Sequence, residues 1–181
     1  MADGFRPSVL EAAKPAVPTP NHERCRVCRA ALPAPFLDFG PMPLANAFLR
    51  SLDEAATEPR YPLAVSCCAR CGLIQLNHVV PAEQLYSNYI YVSSTSEAVR
   101  AYAQWLAGEL PQRYRWTPAD LLVEVASNDG TVLKLFQAAG IRVLGVEPAA
   151  NIAALAEQDG VPTAVKFFNA ATATEFSQRH G

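Results

Sequence analysis

Val123-Glu124-Val125-Ala126-Ser127-Asn128-Asp129-Gly130-Thr131 decides how this chain is read. An apolar strand ends in an acidic residue, a short polar turn with one glycine follows, and a helix begins near Thr131. In an α/β sheet such a corner presents a nucleotide-like ligand to a helix N-terminus, where backbone N–H groups and the helix dipole meet it.

Downstream of the corner, the helix runs through Val132, Leu133, Leu135 and Phe136 to Gly140. Arg142-Val143-Leu144-Gly145-Val146 reads as a second strand, closed by Glu147-Pro148. A helix over about 149–158 stops at Gly160, a third strand covers 163–167, and a weaker helix reaches the C-terminus. This βαβαβ alternation predicts parallel strands joined by right-handed crossovers, in the order 3-2-1. The chain reaches Gly181 before such a domain is complete. The expectation is therefore a half sheet whose first strand has an unpaired inner edge, an aggregation hazard unless covered.

The corner also selects its ligand. Glu147, at the end of the second strand, is placed to accept both hydroxyls of a ribose. The dinucleotide pattern of spaced glycines is absent, since Ala126 and Asn128 stand where glycines would admit a pyrophosphate. This disfavours NAD and leaves S-adenosylmethionine, which carries a ribose and no phosphates. The plain alternative is an ordinary βα turn in which Asn128 and Asp129 cap the helix and Glu147 is a solvated strand end.

Upstream, a helix capped by Ser96 is expected to reach about Leu110, with Val99, Tyr102, Leu106 and Leu110 at helical spacing. Before it, residues 81–91 form a short helix and the tyrosine-rich loop Tyr86-Ser87-Asn88-Tyr89-Ile90-Tyr91. Tyr89 and Tyr91 could line a polar substrate pocket or move protons, or could be linker aromatics packed on a neighbour.

Residues 23–80 are short segments broken by prolines: a strand at Phe36–Phe39 closed by Gly40-Pro41, Tyr61–Val65, and Leu73–Leu76. So little core needs a staple. The five cysteines supply two knuckles, Cys25-x-x-Cys28 and Cys68-x-x-Cys71, with Cys67 spare. Four thiolates complete a closed tetrahedral zinc site. Free buried thiols or a redox pair are the other reading, and His22 and His78 lie near enough to be substitute ligands.

Residues 1–22 carry four prolines among alanines and polar residues and are read as a disordered leader. Half the 181 residues are hydrophobic and 18% charged, enough for a buried core. A net charge of −2 leaves no footprint for nucleic acid. No apolar run is long enough for a membrane span and no secretory signal opens the chain, so a cytoplasmic protein with no membrane partner is expected.

Several segments together resemble a known family. They are Cys25-Arg-Val-Cys28, Phe36-Leu-Asp-Phe-Gly40, Pro43-Leu-Ala-Asn-Ala-Phe-Leu49, Cys68 to Cys71 with Gly-Leu-Ile-Gln-Leu76, Tyr91-x-Ser-Ser-Thr-Ser96, Val123 to Gly130, and Val143-Leu-Gly-Val-Glu-Pro148. In this order they resemble the S-adenosylmethionine-dependent sugar C-methyltransferases, which act on nucleotide-linked keto-deoxysugars.

The resemblance implies a small zinc-binding domain at 23–80, a connector at 81–118 and, at 119–181, the first βαβαβ half of a Rossmann-like methyltransferase fold. It implies zinc on Cys25, Cys28, Cys68 and Cys71, and the cofactor on Glu124, Ala126, Ser127, Asn128, Asp129, Gly130, Glu147 and Pro148. Tyr89 and Tyr91 would face the active site of a protein that is monomeric at full length. The family often has glycine where Ala126 stands, and its Tyr/Glu/His-rich segment with the main base is expected beyond residue 181, so the chain alone is expected to be inactive. A different class of reading keeps the knuckles as a zinc ribbon that binds a macromolecule, with the α/β part as scaffold.

Overall fold

A computed structural model describes residues 22–180. The leader read from the sequence lies, except for His22, outside the described residues. The chain divides into two compact units, Met1–Pro81 and Ala82–Gly181. Residues 82–118, read above as a connector, therefore fold with the second unit.

The first unit holds an antiparallel sheet in the order β1 (Leu37–Pro43), β2 (Arg60–Cys67), β3 (Ile74–Leu76). β1 does not stop at Gly40-Pro41 as expected. The Gly40 N–H turns back to Asp38 Oδ1 at 2.8 Å, the register slips between Asp38 and Pro41, and pairing resumes at Pro41 opposite Pro62. Two prolines facing each other lack the donors a regular ladder needs, so the strand crosses them as an irregularity. Among the described residues of this unit the buried apolar ones are Cys25, Tyr61, Ala64 and Cys68. With so little apolar burial, the unit depends on what its cysteines bind.

The second unit opens with α1 (Ala82–Tyr86) and α2 (Glu97–Tyr114). Ser96 caps α2, its Oγ accepting the Val99 N–H at 3.3 Å. The helix continues beyond Leu110 and contains Pro111; it ends where Arg115 turns left-handed at φ 54°. Proline removes one helical hydrogen bond, and the packing of Leu106, Ala107 and Leu110 on the core outweighs that loss.

Then β4 (Leu121–Val125), α3 (Thr131–Ala138), β5 (Arg142–Val146), α4 (Ala150–Gln158), β6 (Thr163–Ala164) and α5 (Ala170–His180) alternate. The three strands are parallel in the order β4-β5-β6, as the alternation predicts. One face of the sheet packs Leu122 and Val143 under Leu133, Phe136, Ala156 and Val161; the other packs Leu121, Val123, Leu144 and Val146 against Phe176. Leu133 and Phe136 are essentially fully buried, so truncating Phe136 to alanine costs about 3–5 kcal/mol.

The third strand is shorter than the 163–167 read from the sequence. Its ladder ends at Ala164 because the Lys166 N–H folds back to the Ala164 carbonyl at 3.0 Å. Among the described residues no strand pairs with the other edge of β4, where Val125 is half exposed.

Candidate functional site

Each cysteine knuckle closes in the same way. Arg29 N–H donates to the Cys25 carbonyl at 3.0 Å, and Gly72 N–H to the Cys68 carbonyl at 2.8 Å. Both donors stand one residue past the second cysteine and both are left-handed, at φ 61° and 74°. The chain thus doubles back twice, and the two turns meet. Cys25 Sγ lies 3.6 Å from Cys71 Sγ, Cys28 Sγ lies 3.5 Å from Cys68 Sγ, and all four sulfurs are within 4.8 Å of one another. Gln75, buried on β3, accepts the Arg26 N–H at 3.0 Å and ties the first knuckle to the sheet that carries the second.

Zn–S bonds of about 2.3 Å set a tetrahedral sulfur–sulfur edge of about 3.8 Å, so the donor set fits one zinc ion. The thiols differ in acidity. The Cys28 N–H, against an opposing effect of burial, pulls Cys25 down to about 6, and the Cys71 N–H lowers Cys68. The Leu73 N–H works to lower Cys71, but burial and the three neighbouring thiols push it up to about 12. Four thiolates at this spacing need a cation. Cys67 is exposed on the end of β2, outside the cluster. His22 and His78 are also outside it; His78 is buried and its ring sits 6.0 Å from that of Tyr61.

In the second unit the turn after β4 places three alternate residues in the left-handed region: Ala126 at φ 57°, Asn128 at 53° and Gly130 at 73°. Ala126 N–H donates to the Val146 carbonyl at 2.8 Å, which holds the turn against the end of β5. Glu147 is buried there. Its Oε2 accepts the Asn128 N–H and its Oε1 the Ala149 N–H, both at 2.9 Å. The solvated strand end is thereby replaced by a carboxylate that joins two loops. A carboxylate offers about four acceptor positions, so two are left for the hydroxyls of a ribose.

Asn128 and Asp129 bind more than their own helix. Asp129 Oδ1 accepts from Thr131 Oγ1 at 2.8 Å and from its N–H at 3.3 Å, a local cap for α3. Its Oδ2 accepts the Ser94 N–H at 3.0 Å. Asn128 Oδ1 accepts the Ser93 N–H at 2.8 Å, and its Nδ2 donates to the Tyr91 carbonyl at 3.0 Å. The side chain of Asp129 would be raised by burial, but the bonds from Ser94 and Thr131 hold it below the usual carboxylate range.

Two polar atoms at this corner are buried without a hydrogen-bond partner, Glu124 Oε2 and Ser127 Oγ. Burial first, and the charge of Asp129 second, push Glu124 up to about 7. Opposite Glu124 in the ladder is Gly145, where a Cβ would lie 2.5 Å from Ser127 Oγ and 2.8 Å from Thr163 Oγ1. Only glycine admits Ser127 there. A half-buried carboxyl with an unpartnered oxygen, on the strand beside the one that leads into Glu147, fits a ligand bearing hydroxyl or ammonium donors.

Sequence reasoning missed Gly145 and Asn151. A glycine inside an apolar strand is a signal of close backbone approach, and it was available at Gly145. Asn151 carries no such local mark: its partner, Tyr89, is remote in sequence.

Residues 25–86 match the family model Methyltransf_13, described as "Putative zinc binding domain". The C-methyltransferase NovU of Streptomyces niveus is 38% identical over 159 residues, 88% of this chain and 38% of that protein. Over most of its length the chain is thus similar to a C-methyltransferase, and residues 25–86 match a zinc-binding domain model. The four-cysteine cluster lies within the zinc-binding domain, and the parallel sheet forms a Rossmann-like half. The chain spans less than half the length of the relative it matches. Among the described residues, no helix is long and apolar enough to cross a membrane.

Proposed function

We propose that this chain provides the zinc-binding and cofactor-binding parts of an S-adenosylmethionine-dependent enzyme that methylates a carbon of a nucleotide-linked keto-deoxysugar. What supports the reading is the 38% identity to a C-methyltransferase over 88% of the chain, a span too long to leave out either the cysteines or the turn.

Cys25, Cys28, Cys68 and Cys71 hold one structural zinc ion. Glu147 accepts the ribose hydroxyls through the lone pairs its backbone bonds leave free, while Glu124 accepts a further donor from the cofactor. The turn at Ala126, Ser127, Asn128, Asp129 and Gly130, with Pro148, shapes the seat between them. The bound cofactor supplies an electrophilic methyl group. Tyr89 and Tyr91 lie on the segment tied to the turn and form a polar wall on the substrate side. A sugar carbon beside a ketone becomes nucleophilic once its proton is removed, and none of the described residues is assigned as that base. The reading therefore expects cofactor binding without turnover from residues 1–181 alone. It also takes the protein as cytoplasmic and, at full length, monomeric, with no nucleic-acid partner.

Calorimetric titration with S-adenosylmethionine and, separately, with NAD tests it. Saturable binding of S-adenosylmethionine is the expected result. Binding of NAD without S-adenosylmethionine would sink the methyltransferase reading.

A further inference from the structure

Residues 89–94 cross from one helix start to the other. At one end the Asn151 side chain takes both backbone groups of Tyr89: Oδ1 accepts its N–H at 3.1 Å and Nδ2 donates to its carbonyl at 2.6 Å. Asn151 stands in the first turn of α4, just beyond Glu147. At the other end Asn128 takes the Tyr91 carbonyl and the Ser93 N–H, and Asp129 takes the Ser94 N–H, immediately before α3. The segment is thus tied to the N-termini of both helices that follow β4 and β5. It spans the crevice outside the carboxyl ends of those strands, where ligands of open α/β sheets bind.

We propose that Asn151 is a positioning residue: with Asn128 and Asp129 it straps residues 89–94 over the cofactor turn, and so couples cofactor binding to the placement of Tyr89 and Tyr91. The inference rests on the reading that this turn seats the cofactor. A primary amide matches a peptide group donor to acceptor, so two asparagines can dock an irregular segment with no ladder. The strap's backbone groups at Tyr89, Tyr91, Ser93 and Ser94 are spent on this docking. Asn151 is exposed, and its side-chain amide bonds to the Tyr89 backbone. Its loss therefore frees one end of the strap and leaves the turn and sheet in place.

The test uses S-adenosylhomocysteine as probe, with calorimetry and amide hydrogen exchange on the wild-type chain, Asn151→Ala and Asn151→Asp. The wild type should bind, and binding should further slow exchange across residues 89–94. Asn151→Ala removes two hydrogen bonds and should weaken binding roughly five- to thirtyfold while abolishing the ligand-induced protection. Its thermal transition should stay cooperative, with the midpoint lowered by about 4–8 °C for each kcal/mol lost. Asn151→Asp keeps the acceptor for the Tyr89 N–H and should fall between the two. If the wild type binds and Asn151→Ala binds equally well with the same added protection, the coupling is overturned and the cofactor reading stands. If the wild type does not bind, the cofactor reading fails and takes the coupling with it.

Discussion

The Asn128 N–H donates to Glu147 Oε2 at 2.9 Å, and with the Ala126 N–H on the Val146 carbonyl this bond joins the turn after β4 to the end of β5. With the Ala149 N–H on its other oxygen, the Glu147 carboxylate is a strut as well as a candidate ligand for a ribose. Hydrogen bonds to a charged acceptor contribute about 1.5–3 kcal/mol each. Glu147→Ala should therefore lower unfolding stability by about 3–6 kcal/mol in urea titration and also abolish measurable S-adenosylmethionine binding. A variant that keeps wild-type stability while losing the cofactor would show that the strut is immaterial. One that loses stability and still binds would remove Glu147 from the ribose site.

Glu124 gives a pH signature. Its carboxyl lies at about 7 in the folded chain, against an ordinary value of 4.5. The folded state thus holds this proton more tightly than the unfolded state. Its contribution is fully present below about 4.5, falls as pH rises toward 7, and is flat above that. The full swing is on the order of 3 kcal/mol. Glu124→Gln, which cannot ionise, should be more stable than wild type at pH 8 and lose that part of the slope between pH 5 and 7. Denaturant midpoints across pH measure it, and parallel curves for the two proteins would count against a buried, unpartnered carboxyl.

The two acids and the four cysteines were legible in the sequence because their geometry is local. A Cys-x-x-Cys turn brings its own sulfurs together, and a strand end followed by a helix puts Glu124 and Glu147 at the same edge of the sheet. The third strand was read too long because Val165 and Phe167 have strand-like side chains, while the backbone turn at Lys166 leaves no trace in hydropathy. The docking of the tyrosine segment was illegible for a related reason. Asn128, Asp129 and Asn151 look like helix-start residues, and their second role depends on partners many residues upstream.

Zinc should be found at one ion per chain by metal analysis of purified protein. Cys25→Ser and Cys68→Ser should each lose it and unfold the first unit, whose buried apolar residues are few. Cys67→Ser should keep full zinc content, since its sulfur is outside the four-cysteine cluster. Zinc well below one per chain in the wild type, with no further change in Cys68→Ser, would refute the four-thiolate site.

Ala126 sits at φ 57°, where a Cβ crowds the following carbonyl. The left-handed conformation costs an L-residue about 1–2 kcal/mol, and glycine escapes that cost. Glycine is also freer in the unfolded chain, which takes back about 0.4–1 kcal/mol. Ala126→Gly should therefore stabilise the protein by about 0.5–1 kcal/mol, read as a higher urea midpoint at unchanged slope. Because Ala126 already meets the Val146 carbonyl through its N–H, the substitution leaves that bond intact, and cofactor affinity should change by less than about twofold. A lower midpoint in Ala126→Gly would mean that the alanine methyl makes contacts worth more than its backbone strain, and the turn would then owe its shape to packing as well as to its hydrogen bonds.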